Sequence, residues 1–167
     1  MYRMRPAAVG DRDTIERLAT ARFKWMADRG YPPWPQDAAE IAGKAGHAPM
    51  WCLLEGARVC GVTIIVGRLG TAAWTEAERR EASLLLTATL TDPARAGQRL
   101  GHRIATWAVD HAARQAKPWA RRVTTEPRLA DYYQRQGFTL VREGTYQGRR
   151  LYALQRRAER LPNPLGD

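Results

Sequence analysis

The sequence predicts a mixed, twisted β-sheet flanked by helices, in the α/β or α+β range. Three features carry that expectation. A hairpin pattern occupies Met50 to Arg68. Strand and helix patterns alternate after it. Between them, Ser83 to Gln115 reads as a strand, a glycine-bracketed turn and a long helix.

Taken in order, Tyr2 to Pro6 alternates weakly and ends on a proline, as a short edge strand does. Asp13-Thr14-Ile15-Glu16 has the form of a capping box. Ile15, Leu18, Ala19, Phe23 and Met26 then follow helical spacing, which predicts a helix over 14–28 ended by Gly30. Tyr31 to Pro35 holds three prolines and is a stiff loop. Asp37 to Glu40 offers a second capping box and a short helix to about Ala45. Met50–Leu54 and Arg58–Arg68 read as paired strands around a turn at Gly56, and Gly61 marks a bulge or a close backbone approach. Gly70 to Glu81 is a polar connection with a helical turn from Thr75.

Leu84 to Thr91 is rich in aliphatic and threonine side chains, and Asp92-Pro93 stops it. After the turn, Leu100, Ile104, Trp107, Ala108 and His111 form one stripe of a helix closed by Lys117-Pro118. Trp119 to Thr125 reads as a strand. Pro127 suits the first position of another helix, which Gly137 ends. Phe138–Arg142 and Leu151–Leu154 are expected as the last strands. One domain over 1–155 is predicted, with a loose tail over 156–167.

The chain has 167 residues and a formal net charge of +10. That charge fits simple solubility or a polyanionic ligand (a phosphorylated cofactor, a nucleic acid or an acidic surface), and charge alone does not choose between these. The basic residues are spread along the chain, which disfavours a simple nucleic-acid tail. No apolar run reaches membrane-spanning length, and no signal peptide is apparent. Cys52 and Cys60 fall at core positions. Three separated histidines make no metal-ligand pattern. The expectation is a cytoplasmic, metal-free domain.

The strand–turn–helix stretch suits a phosphate, because a helix N-terminus offers unpaired N–H groups and partial positive charge. Its turn, Thr91-Asp92-Pro93-Ala94-Arg95-Ala96-Gly97-Gln98-Arg99-Leu100-Gly101, is followed downstream by Leu129-Ala130-Asp131-Tyr132-Tyr133-Gln134-Arg135-Gln136-Gly137-Phe138. In this order, the two motifs resemble the GNAT acetyltransferases, which move an acyl group from acyl-CoA to an amine. The resemblance runs from Tyr2 to about Gln155. The first motif is similar to the family's (R/Q)-G-x-G-x-G turn, the second to its helix ending in Y-x-x-x-G-F. Three positions depart. Ala96 replaces the usual Arg or Gln, Arg99 replaces the middle glycine, and Glu126 replaces the Asn before the second helix. If Arg99 takes a positive φ, it is strained there.

The resemblance implies a GNAT-like fold and acetyl-CoA as co-substrate. It implies that the backbone of Thr89, Leu90 and Thr91 pairs with the pantetheine arm. The amides of Gly97, Gln98, Arg99, Leu100, Gly101 and His102 would hold the pyrophosphate, with Arg95, Arg99 and Arg103 as further phosphate contacts. Tyr133 aligns with the tyrosine near the cofactor sulfur and is the expected general acid, with Tyr132 one residue off. The general base stays open between Glu81 and Glu126, while Glu76 and Glu78 read as solvated. His111 reads as a packed histidine and His102 as better suited to phosphate. The expected acceptor is a small-molecule or peptide amine, held by residues 23–34 and 70–81, where Tyr31, Trp34 and Trp74 either line a pocket or pack the core. Alternatives are acylation of aminoacyl-tRNA and a non-catalytic acyl-CoA-binding module. Oligomeric state stays open, a homodimer included.

Overall fold

The computed structural model describes residues 1–166. The strands hydrogen-bond in the order β1-β2-β3-β4-β5-β7-β6, one mixed seven-stranded sheet with flanking helices. The strands are β1 (Tyr2–Pro6), β2 (Met50–Glu55), β3 (Arg58–Val66), β4 (Ser83–Thr91), β5 (Trp119–Thr124), β6 (Thr139–Tyr146) and β7 (Arg149–Arg157). The helices are α1 (Arg12–Ala27), α2 (Ala38–Gly43), α3 (Glu76–Arg80), α4 (Leu100–Arg114) and α5 (Pro127–Gln134). The chain divides into two compact units, and β3, β4 and α4 each contribute residues to both.

The first unit holds residues 1–64, 88–104 and the C-terminal residues from Leu165. Here β1 pairs antiparallel with β2, and β2 with β3. α1 starts earlier than the expected cap at Asp13. The Asp11 carboxylate takes two bonds from the Arg5 guanidinium, at 2.7 and 2.8 Å, and a third from the Ala8 N–H. These bonds wind the chain from Val9 into a 3-10 turn, so Asp13 falls inside the first turn of α1. The box at Asp37 forms as expected: Asp37 accepts from the Glu40 N–H, and Glu40 accepts from the Asp37 N–H. Gly61 serves both anticipated purposes. It pairs with Leu53 at a register shift, and a Cβ there would lie 3.1 Å from Ile104 Cδ1 and 3.4 Å from the Leu90 carbonyl.

The second unit holds residues 65–87 and 105–164. Its first pair is parallel, Ser83–Leu86 on β4 beside Trp119–Arg122 on β5. β5 then pairs antiparallel with β7, and β7 with β6. Side-chain alternation gives the sheet two covered faces. Ala120 and Leu154 face one way and pack with Ala105 and Val109 of α4, Ala130 and Tyr133 of α5, and Phe138 just before β6. Val123, Leu151 and Ala153 face the other way, toward Ala73 and Trp74.

The last two strands are longer than Phe138–Arg142 and Leu151–Leu154. Their mutual pairing carries polar residues such as Glu143, Thr145 and Arg149 into the ladder, where local apolar pattern gives no signal. β3, in contrast, ends at Val66, short of Arg68. α3 forms on a Thr75 capping box. The segment after β7 is tied down. The Ala158 N–H donates to the Pro118 carbonyl at 2.8 Å, and the Leu161 N–H donates to the buried Asp110 carboxylate at 2.9 Å. No helix among the described residues is long and apolar enough to cross a membrane.

Candidate functional site

In the first unit, β4 delivers the chain into the glycine turn. The strand is buried from Ser83 to Leu86, and Ala88, Thr89 and Thr91 are half-exposed around buried Leu90. The Thr89 hydroxyl lies 2.8 Å from that of Thr63. Asp92 ends the strand: its carboxylate accepts from the Ala94 N–H and pairs with Arg58 at 3.0 Å. The N–H groups of Ala96 and Gln98 bond the carbonyls of Pro93 and Arg95. The first α-helical bond of α4 runs from the Arg103 N–H to the Arg99 carbonyl. The N–H groups of Arg99, Leu100 and Gly101 precede that bond, where helix geometry supplies no acceptor within the helix. The first turn of α4 contains no acidic residue. The residues present fit a pyrophosphate, with amide donors and the positive end of a helix at one place.

Two residues of this turn have positive φ, Gly97 at 91° and Arg99 at 55°. Arginine thus stands at a left-handed position that costs an L-residue about 1–2 kcal/mol. Its side chain is exposed. Arg99→Gly relieves that strain, and the larger unfolded-state entropy of glycine offsets part of the gain. Melting should stay level or rise by a few degrees. Acetyl-CoA affinity should fall a few-fold at low salt, and the difference should fade as salt rises. Arg99→Ala separates the effects, because it loses the charge and keeps the strain. Equal affinities for all three proteins in titration calorimetry would remove Arg99 from the phosphate site.

The other two expected phosphate arginines are engaged elsewhere. Arg95 is ion-paired with Glu55, also reaches the Gln98 side chain at 3.3 Å, and holds the Glu55 carboxyl below its usual range. Arg103 donates to the Gln98 carbonyl at 3.2 Å and to the Leu165 carbonyl, and its guanidinium lies 4.1 Å from the Tyr2 ring centre. Both brace the turn as found. Their partners Glu55 and Leu165 lie far away in sequence, so local pattern gave no sign of them.

In the second unit, Tyr133 is 2% exposed on α5. The helix ends in a tight cap: Gly137 has φ of 84°, and the Phe138 N–H reaches back to the Tyr133 carbonyl at 3.1 Å. The rings of Tyr133 and Phe138 meet edge to face at 5.1 Å. The Y-x-x-x-G-F pattern therefore has a packing reason of its own. Half-buried Tyr132 lies edge-on to Tyr133.

The two base candidates are both engaged. Glu81 accepts from Arg121 at 3.2 Å through one oxygen and from the Trp119 indole at 2.7 Å through the other. Arg121 is 0% exposed and also bonds the Gln155 side chain and the Glu78 carbonyl. Glu126 caps α5 by accepting from the Arg128 N–H and its side chain. The Arg128 bond holds the Glu126 carboxyl below the usual range, against an opposing push from burial. Glu78, read as solvated, is paired with Arg142, and Glu76 pairs with Arg80.

The aromatic residues of the expected acceptor segments pack. Trp34 stacks on Phe23 at 5.8 Å, and Tyr31 lies 6.0 Å from Trp25. Trp74 is buried beneath Arg121. His111 stacks on Trp107 at 4.6 Å, and burial lowers its pKa. No group of three or more His, Cys, Asp or Glu able to hold a metal ion occurs among the described residues.

No family model matches the sequence, and no curated protein matches it. Solved structures do. A GNAT-family acetyltransferase from Listeria monocytogenes superposes with a TM-score of 0.73 at 19% identity, over 93% of this chain and 94% of that one. The Drosophila melanogaster polyamine N-acetyltransferase, which forms N-acetylagmatine, gives 0.67 at 13% identity, over 94% and 100%. The Salmonella typhimurium protein yncA, described with its cofactor acetyl-CoA, gives 0.59 at 16% identity, over 98% and 97%. The chain has the fold of the GNAT acetyltransferases.

Proposed function

We propose that the protein is an N-acetyltransferase that moves an acetyl group from acetyl-CoA to the primary amine of a small molecule or peptide. The observation that carries this reading is the turn: two left-handed residues, Gly97 and Arg99, lead into a helix start whose amides and dipole suit a pyrophosphate. The half-exposed end of β4, Thr89 to Thr91, is assigned to the pantetheine arm. The neighbours solved as acetyltransferases support the same chemistry, and the polyamine enzyme among them supports an amine acceptor.

In this mechanism the amine nitrogen bonds to the thioester carbonyl carbon. The C–S bond breaks with its electron pair on sulfur, and the Tyr133 hydroxyl gives that sulfur a proton. The proton shed by the acylated nitrogen returns through water to Tyr133. Holding amine and thioester together supplies much of the rate. Neither Glu81 nor Glu126 is well suited to take the amine proton: both Glu81 oxygens already accept N–H groups, and the Arg128 bond lowers the basicity of Glu126. The reading therefore has the amine arrive neutral or lose its proton to water. Two buried free thiols, Cys52 and Cys60, support a cytoplasmic setting.

Acetyl-CoA at a hundredfold excess over Kd should stabilise the fold by about 2.7 kcal/mol. A panel of primary amines should then release free thiol. Stabilisation without thiol release from any amine would favour a non-catalytic acyl-CoA-binding module, for which the engaged state of both carboxylates speaks. The net charge of +10 keeps aminoacyl-tRNA as a second acceptor class. Steeply salt-dependent tRNA binding would support it. No stabilisation by any acyl-CoA would end the reading.

A further inference from the structure

Arg122 has a place in the fold that acetyl transfer as described leaves without a use. It ends the parallel ladder. The register runs from Ser83–Trp119 to Leu86–Arg122, and both strands go on, β4 to Thr91 and β5 to Thr124. At that point the Arg122 guanidinium donates to the carbonyl of Thr87, the next residue of β4. Arg122 is 4% exposed. Its cross-strand neighbours are apolar and buried, Leu86 on β4 and Leu154 on β7. From α5 it is faced by Tyr133, whose ring centre lies 5.7 Å from the guanidinium carbon. The adjacent cation, Arg121, points to the opposite face of the sheet, toward Trp74 and Glu81.

An arginine keeps its charge when buried. In surroundings of low polarity that charge acts strongly on any negative charge arising nearby. In the mechanism above, negative charge arises on the leaving sulfur and passes to the Tyr133 oxygen as the proton moves. We propose that Arg122 is a positioning residue for this step: fixed by Thr87, it orients Tyr133 and stabilises the negative charge shared by the tyrosine and the departing thiolate. No bond to Arg122 forms or breaks, and it neither gives nor takes a proton. This assignment rests on the acetyl-transfer reading.

The test reads the thiol of bound CoA by its ultraviolet thiolate absorption as pH is raised, in the wild-type protein, Arg122→Met and Arg122→Lys. Bound CoA should ionise about one pH unit lower in the wild-type protein than in Arg122→Met. Arg122→Lys should recover most of the difference, which a purely structural role would not require. With a reactive amine, Arg122→Met should lower kcat about tenfold, the rate equivalent of that one-unit difference. The KM for acetyl-CoA should change less than about threefold on the same footing. Arg122→Gln, which keeps hydrogen-bonding capacity, replaces the methionine variant if that protein does not fold. CoA that binds and titrates alike in wild type and the neutral variant overturns the role of Arg122 alone. Failure of CoA to stabilise the wild-type protein overturns the acetyl-transfer reading, and Arg122's role with it.

Discussion

Replacing Tyr133 by phenylalanine should lower the turnover number by roughly a hundredfold or more, the usual contribution of a placed general acid. Acetyl-CoA binding should hardly change. The substitution removes one oxygen and keeps the ring. The edge contact with Phe138 at 5.1 Å and the one with Tyr132 at 6.0 Å are both ring contacts and survive it. The cap that ends α5 also survives, because it uses the Tyr133 backbone carbonyl. A change in melting temperature should therefore be small. Steady-state turnover at saturating acetyl-CoA, measured beside thermal stabilisation by CoA, separates the chemical role from the packing role. Tyr132→Phe is the matched control and should keep wild-type turnover. Turnover of Tyr133→Phe within about threefold of wild type would leave Tyr133 as a core residue only, since so small a change is far below a general acid's contribution.

What the sequence disclosed and what it hid follow from the range of the forces involved. The second motif was legible because its reasons are local: Pro127 opens the helix, Gly137 takes the left-handed position, and Phe138 folds back on Tyr133. The Asp37 box and the glycine turn were legible for the same reason. The start of α1 was not, because Asp11 owes its position to Arg5, a residue of the preceding strand. The full length of β6 and β7 was hidden because polar residues joined the ladder through pairing. Arg121 and Arg122 were hidden most thoroughly. Adjacent arginines in a short strand suggest one exposed face, yet both are buried on opposite sides of β5. Their partners, among them Glu81 and Thr87, come from other parts of the chain. Arg99 is the reverse case. The motif comparison marked it as the residue standing at a glycine position, and its φ of 55° bears out the strain that this implied.

Glu81→Gln should damage the fold and spare the chemistry. Glu81 is 45% exposed at its side chain, so on exposure alone it could reach a substrate. Its two oxygens nevertheless receive N–H groups from Arg121 and Trp119. Burial pushes the Arg121 pKa down, and Glu81 is the chief opposing influence that keeps the cation favoured. Glutamine has one acceptor oxygen and one donor nitrogen, so one of the two N–H groups must face another donor. Breaking a fully buried pair costs about 3–5 kcal/mol. Solvent screening at Glu81 and the remaining Arg121 bonds to Gln155 and the Glu78 carbonyl reduce this to about 2 kcal/mol. At this chain length that corresponds to a fall in melting temperature of roughly 4–8 °C. Well below melting, kcat should stay within about threefold of wild type, since a carboxylate that moves no proton contributes no acid–base term. A general base would show the opposite pattern, a fall in kcat of a hundredfold or more with little change in melting. Arg121→Met supplies the decisive background. With no buried cation to balance, adding Glu81→Gln should cost markedly less stability than it does in the wild-type protein. An undiminished cost there would mean that Glu81 acts through something other than Arg121.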